Sequence, residues 1–170
     1  MNKYLKWGWR VVSVLLVLFV MWKIFSFSHK EAAVSLNQSG NATESIMGVI
    51  SDNFYELSKS EQKMVIGQFQ QLIRKSAHLI IYLALGFLSC NMFYSFKIIM
   101  IKSGIFAAVL SVAYAISDEI HQHFIPGRAC ALFDMALDSA AALSGIVVFA
   151  AVALFIMAVI RKIKEKRTAG

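Results

Sequence analysis

Between Ser139 and Ile160 the chain runs for 22 residues without an Asp, Glu, Lys or Arg, and Ala, Val and Ile fill most of the stretch. A helix rising about 1.5 Å per residue over that length crosses the ~30 Å hydrocarbon layer of a bilayer. Three further segments share this character. Residues 11–22 (VVSVLLVLFVMW) are uncharged and flanked by Arg10 and Lys23, with Trp7, Trp9 and Trp22 at positions suited to the interface, so a first span is expected over about 7–27. A second is expected over about 77–96, uncharged but carrying His78 and Asn91. A third is expected over about 98–117, where Lys102 lies one turn inside the start and can snorkel back to the interface. The runs lack the alternation that a membrane barrel needs, so the fold class is all-α: an integral membrane bundle of four transmembrane helices in one domain.

Composition supports the membrane class. Hydrophobic residues make up 58% of the chain, charged ones 16%, and the mean hydropathy is +0.64. The net charge of +7 does not point to nucleic acid, because the basic residues sit at helix ends and do not form one solvated face. They set topology instead. Residues 1–10 hold three Lys or Arg, residues 95–102 hold two and the tail 161–170 holds five. On the opposite side, six spread over 23–76 and Arg128 stands alone between the last two spans. The dense clusters mark the cytoplasm, so both termini are expected there and nine of the ten acidic residues outside. The alternative for the first span is a signal peptide, with Lys3, Lys6 and Arg10 as its basic region, but no small-residue cleavage site follows. Cys90 in an apolar run and Cys130 in a polar loop are expected as free thiols at different depths.

The outer loop, residues 28–74, begins with an irregular polar stretch (SLNQSGNATES). Ile46, Met47, Val49, Ile50, Phe54 and Leu57 then recur at helical spacing. Ser58 and Glu61 form a capping box for a second amphipathic helix carrying Met64, Val65, Phe69, Leu72 and Ile73. This amphipathic pair is expected on the outer leaflet or packed on the bundle.

Chemistry-bearing residues gather where three helix ends meet. The third helix continues past its apolar run into Asp118, Glu119, His121, Gln122 and His123 before Pro126-Gly127 breaks it. Asp118 and Gln122 are four apart and share a face. Arg128 follows the turn, and Asp134 and Asp138 stack four apart at the start of the fourth helix. The second helix brings Arg74, Lys75 and His78 to the same level, with Tyr82 four residues on. Charges at membrane depth cost on the order of 3 kcal/mol on insertion scales, so they are paired or line a wet cavity. The candidate pocket is His78, Tyr82, Asp118, Glu119, Gln122, Arg128, Asp134 and Asp138, with Arg128 able to hold a carboxylate bidentately.

Several accounts of this cluster stay open. It can be a structural ion-pair network, or a pocket for a ligand headgroup at the outer leaflet. It can also be an intramembrane enzyme on a lipid-linked phosphate, with a carboxylate as base and Arg128 as anion clamp. A transporter is disfavoured, since four helices show no internal repeat. No metal is expected: His121 and His123 are two apart and lie on different faces, although His78 could chelate with Asp118, Glu119 or Asp134 across helices. No cofactor is expected, and no nucleophile-elbow motif occurs.

With these residues in view, the chain resembles the VanZ-like family of small bacterial membrane proteins. The resemblance rests on RKSAHLIIYLALGF (residues 74–87), on SDEIHQHFIPGR (residues 117–128) and on Asp134, within about residues 24–150. It departs from the family pattern at Asp138 and Ala141, where members have Asn before a Gly-rich step of which Gly145 is kept, and at Ile81, where many carry an acidic residue. The resemblance implies a bacterial cell-membrane protein related to factors that give low-level resistance to teicoplanin-type lipoglycopeptides. The partners it implies are the bilayer and a lipid-linked cell-wall precursor or lipoglycopeptide.

Overall fold

Four helices carry the fold, and nothing in their interiors stops them early. The structure, a computed structural model, describes residues 3–29, 46–47, 54–125 and 131–168. Helix α1 is Lys3–Ser28, α2 is Lys59–Ser95, α3 is Met100–His123 and α4 is Leu132–Thr168. All four are long and apolar enough to cross a membrane, and there is no strand among the described residues. A 3-10 turn, Phe54–Glu56, precedes α2.

The second amphipathic segment of the outer loop and the second span are one continuous 37-residue helix, not two elements. No proline falls between residues 59 and 95, and Arg74 and Lys75 are good helix formers, so the chain has no reason to break there. Ser58 and Glu61 make the full capping box, with the Glu61 carboxylate 2.9 Å from the Ser58 amide. The Gln62 amide donates to the carbonyls of Phe54 and Leu57 and holds the 3-10 turn against the helix start. About 55 Å long, α2 exceeds the ~30 Å core, so its first half stands clear of the apolar layer.

The helices alternate in direction, and one end of the bundle, the mouth, gathers the end of α1, the middle of α2, the end of α3 and the start of α4. The terminal end holds the start of α1, the α2–α3 turn and the end of α4. Packing is closest between α2 and α4, where the backbones touch. A Cβ placed on Gly86 would run into the Ala142 carbonyl, and one on Gly145 would meet the Leu83 carbonyl and lie 2.9 Å from the Phe87 amide nitrogen. Between membrane helices there is little hydrophobic driving force, so such small-residue contacts supply the packing. Val17, Val20 and Ile24 of α1 pack with Tyr82, Leu85, Ala115 and Ala142 in the main core. Cys90, Ala107 and Phe149 form a second cluster nearer the terminal end. Cys90 is a free thiol, while Cys130 lies outside the described residues.

Two polar groups inside the apolar layer find partners across helices, as an environment without water favours, whereas the buried hydroxyls of Ser89 and Ser111 have no hydrogen-bond partner among the described residues. Asn91 donates to the Ser13 hydroxyl at 3.2 Å, and the Tyr114 hydroxyl donates to the Met21 carbonyl at 2.6 Å. Large apolar side chains such as Leu15, Phe19, Val109, Val147 and Phe155 point outward and are exposed, which fits a surface solvated by lipid.

Candidate functional site

At the mouth, two polar systems lie side by side. The first joins α1 to α3. Ser28, the last residue of α1, donates its hydroxyl to Asp118 Oδ2 at 2.8 Å, and the Gln122 amide donates to the same oxygen at 3.0 Å. Asp118 and Ser28 are both buried. The four-residue spacing of Asp118 and Gln122 is what brings the amide over the carboxylate. Alongside, His29 Nδ1 lies 3.3 Å from His121 Nε2, and the Phe25 ring stacks on both imidazoles.

The second system joins α2 to α4. Lys75 Nζ lies 2.6 Å from Asp134 Oδ1 at the rim. One turn deeper, His78 Nδ1 faces Asp138 Oδ2 at 3.6 Å, with both side chains nearly buried. From α3, Glu119 adds a buried carboxylate that accepts the Ala131 amide at 3.1 Å, fixing the residue that leads into α4. Deeper still, Tyr82 is fully buried, its ring 6.2 Å from that of His78. The Tyr82 hydroxyl lies in the field of Asp118 and Asp138 and makes no hydrogen bond of good geometry.

Between these systems opens a cleft of about 50 Å³, lined by Arg74, Lys75, His78, Glu119, Gln122 and Asp134, with Asp138, Leu79 and Leu137 at its base. That volume holds a few water molecules or one small polar group, well short of the several hundred cubic ångströms of a drug-sized pocket. Lys75 and His78 face aspartates, whereas the half-exposed Arg74 guanidinium has no ion-pair partner among the described residues. A planar five-donor cation on the rim of a narrow cleft is suited to a phosphate or carboxylate.

Of the eight candidate residues, His78, Glu119, Gln122, Asp134 and Asp138 line this cleft. Asp118 and Tyr82 lie behind it. Arg128, with Pro126 and Gly127, lies outside the described residues. Asp134 takes Lys75 as its partner, and Asp138 faces His78. Lys75 had been visible only as one of a basic pair, and Ser28 carried no signal, since a serine at the end of an apolar helix does not announce a partner 90 residues away. Among the described residues, no group of three or more His, Cys, Asp or Glu side chains is placed to hold a metal ion.

No curated protein and no solved structure gives a significant match to the chain. A family model described as VanZ/LLP1 matches residues 13–156, which takes in the apolar part of α1, all of α2 and α3 and most of α4. With the mouth residues and nearly the whole bundle inside that match, this four-helix membrane protein belongs to the VanZ/LLP1 family.

Proposed function

We propose that the mouth cleft binds the anionic headgroup of a lipid-like molecule of the cell envelope, and that the protein acts by binding and not by catalysis. The observation that carries this reading is the Arg74 guanidinium, without an ion-pair partner among the described residues, on the rim of a cleft whose other cations, Lys75 and His78, already face carboxylates. A structural network alone gives no reason to place a further cation beside two carboxylates that already have cationic partners. The Glu119 and Gln122 side chains, which line the same cleft as Arg74, supply acceptors and donors for sugar hydroxyls or amides next to the charged group. The ligand classes are a lipid-linked cell-wall precursor, a membrane lipid or a teicoplanin-type lipoglycopeptide. The termini lie in the cytoplasm of a bacterial cell, as the distribution of Lys and Arg supports, which turns the cleft to the outer leaflet where these molecules are found.

Growth of a susceptible bacterial host at graded teicoplanin-type lipoglycopeptide concentrations tests this reading. Glu119→Gln keeps the size of the side chain and an acceptor for the Ala131 amide while removing the charge. Resistance given by the wild-type chain should fall in this variant at unchanged membrane abundance. Loss of abundance together with resistance argues for the structural network instead.

A second reading is favoured by one feature, the buried Tyr82 hydroxyl that lies near Asp118 and Asp138 without a hydrogen bond of good geometry. In an intramembrane hydrolase or transferase such a group handles a proton. Release of inorganic phosphate from a polyprenyl diphosphate by the purified chain, lost in Tyr82→Phe, would favour it over binding alone.

A further inference from the structure

At the opposite end of the bundle the first turns of α1 meet the α2–α3 turn and border two adjoining hollows, both open to the surface. One, of about 620 Å³, is lined by Lys3, Tyr4, Lys6, Trp7, Arg10 and Lys97. The other, of about 300 Å³, is lined by Trp7, Arg10, Val11, Val14, Leu15 and Phe96. They share Trp7 and Arg10, so a cationic chamber and an apolar one lie on either side of these two side chains. No acidic residue lines either, and Lys3, Lys6 and Lys97 have no ion-pair partner among the described residues.

Arg10 stands at the join and is held there. Its Nε donates to the Ser95 carbonyl at 3.0 Å, and its guanidinium lies 5.3 Å from the centre of the Phe96 ring. That leaves the terminal nitrogens of a fixed, planar cation for an anion in the chamber. Lys97 reaches the chamber because the turn places it in the left-handed region, at φ 65°. Val11, Val14 and Leu15 belong to the uncharged run of α1, so the second hollow lies in the apolar layer. Four cations at the interface with an apolar groove leading inward have the shape and polarity of one phospholipid: a phosphate at Arg10, a chain along Val11, Val14 and Leu15.

We infer that this groove is a specific site for an anionic phospholipid of the leaflet facing both chain termini, separate from the mouth cleft. An acidic peptide or nucleic acid would satisfy the lysines but not the apolar half of the groove. Each basic side chain near the surface adds to the attraction for an anionic headgroup, and burial of the chain adds area that a soluble anion lacks.

Native mass spectrometry of the purified full-length chain in detergent, titrated with phosphatidylglycerol and with phosphatidylcholine, tests the site. The variant Lys3→Gln, Lys6→Gln, Lys97→Asn removes three chamber charges, and Asn keeps the left-handed turn accessible. It should lose phosphatidylglycerol binding by about tenfold or more with phosphatidylcholine unchanged. The variant Lys162→Gln, Lys164→Gln, Lys166→Gln removes as many charges from the exposed end of α4 and should change binding less than about twofold. Val14→Trp, which fills the apolar hollow at constant charge, should also weaken phosphatidylglycerol severalfold. Glycerol 3-phosphate, with the same phosphate and no chains, should not compete at equal concentration. Equal losses in the two lysine variants would reduce the effect to general charge attraction and overturn the site. Undiminished binding in the chamber variant, or competition by glycerol 3-phosphate, would overturn it as well. Lys6→Gln alone, read at about a twofold loss or none, decides the matter should the triple variant misfold.

Discussion

Lys75 and Asp134 meet at 2.6 Å on the rim of the mouth, and one turn below them His78 and Asp138 repeat the same pairing between the same two helices at 3.6 Å. The two rungs differ in environment. Lys75 and Asp134 are 43% and 29% exposed, whereas His78 and Asp138 are 11% and 7% exposed.

The upper rung should therefore matter little to stability. Lys75→Ala is expected to cost about 1 kcal/mol or less in detergent, since half-solvated ion pairs are screened. His78→Ala should cost about 2 kcal/mol or more, because it strips the facing partner from a buried Asp138. Denaturant titrations of both variants check the order, and equal costs would contradict it.

Two glycines of the same helix should respond with opposite signs. Gly86→Ala drives a Cβ into the Ala142 carbonyl and is expected to cost at least about 2 kcal/mol by separating α2 from α4. Gly67→Ala, where a Cβ would meet nothing within 4 Å, should add about 0.5–1 kcal/mol through helix propensity. Thermal unfolding midpoints of the two variants in one detergent give the comparison.

The fold was written in the chain at the scale of uncharged runs, and the site at the scale of helix spacing. Asp118 with Gln122 share a face because four residues separate them, and the structure puts the Gln122 amide on the Asp118 carboxylate. Spacing along one helix cannot name a partner on another. The contact of Asp134 with Lys75, 59 positions earlier, had no signal in the spacing of either helix, while Arg128, the cation adjacent in the chain, lies outside the described residues. The Ser58 and Glu61 cap marked where α2 starts, but not that the helix runs unbroken to Ser95, because the polar residues near 74–78 read as a boundary when taken without the charges of α4 that they face.

The Ser58 cap gives a local prediction. Ser58→Ala removes the acceptor for the Glu61 amide and should fray the first turn of α2 by about 1 kcal/mol. Hydrogen exchange at residues 59–63 should speed up, with exchange around residues 82–90 unaltered.

Tyr82→Phe separates structure from ligand. Removing a buried hydroxyl that makes no well-formed hydrogen bond should leave stability unchanged or slightly higher. Resistance or turnover lost in a variant of undiminished stability would assign that hydroxyl to the bound molecule.

The cleft itself is tested most directly by titrating the purified full-length chain, in phosphatidylcholine nanodiscs, with polyprenyl phosphate and measuring Kd for the wild-type chain and for Arg74→Gln. Saturable binding is expected for the wild type, weakened about tenfold in Arg74→Gln as one charge-assisted contact is lost. Equal affinity in the two proteins, or no saturable binding by either, would contradict an anion-binding mouth and leave the cluster as a structural ion-pair network.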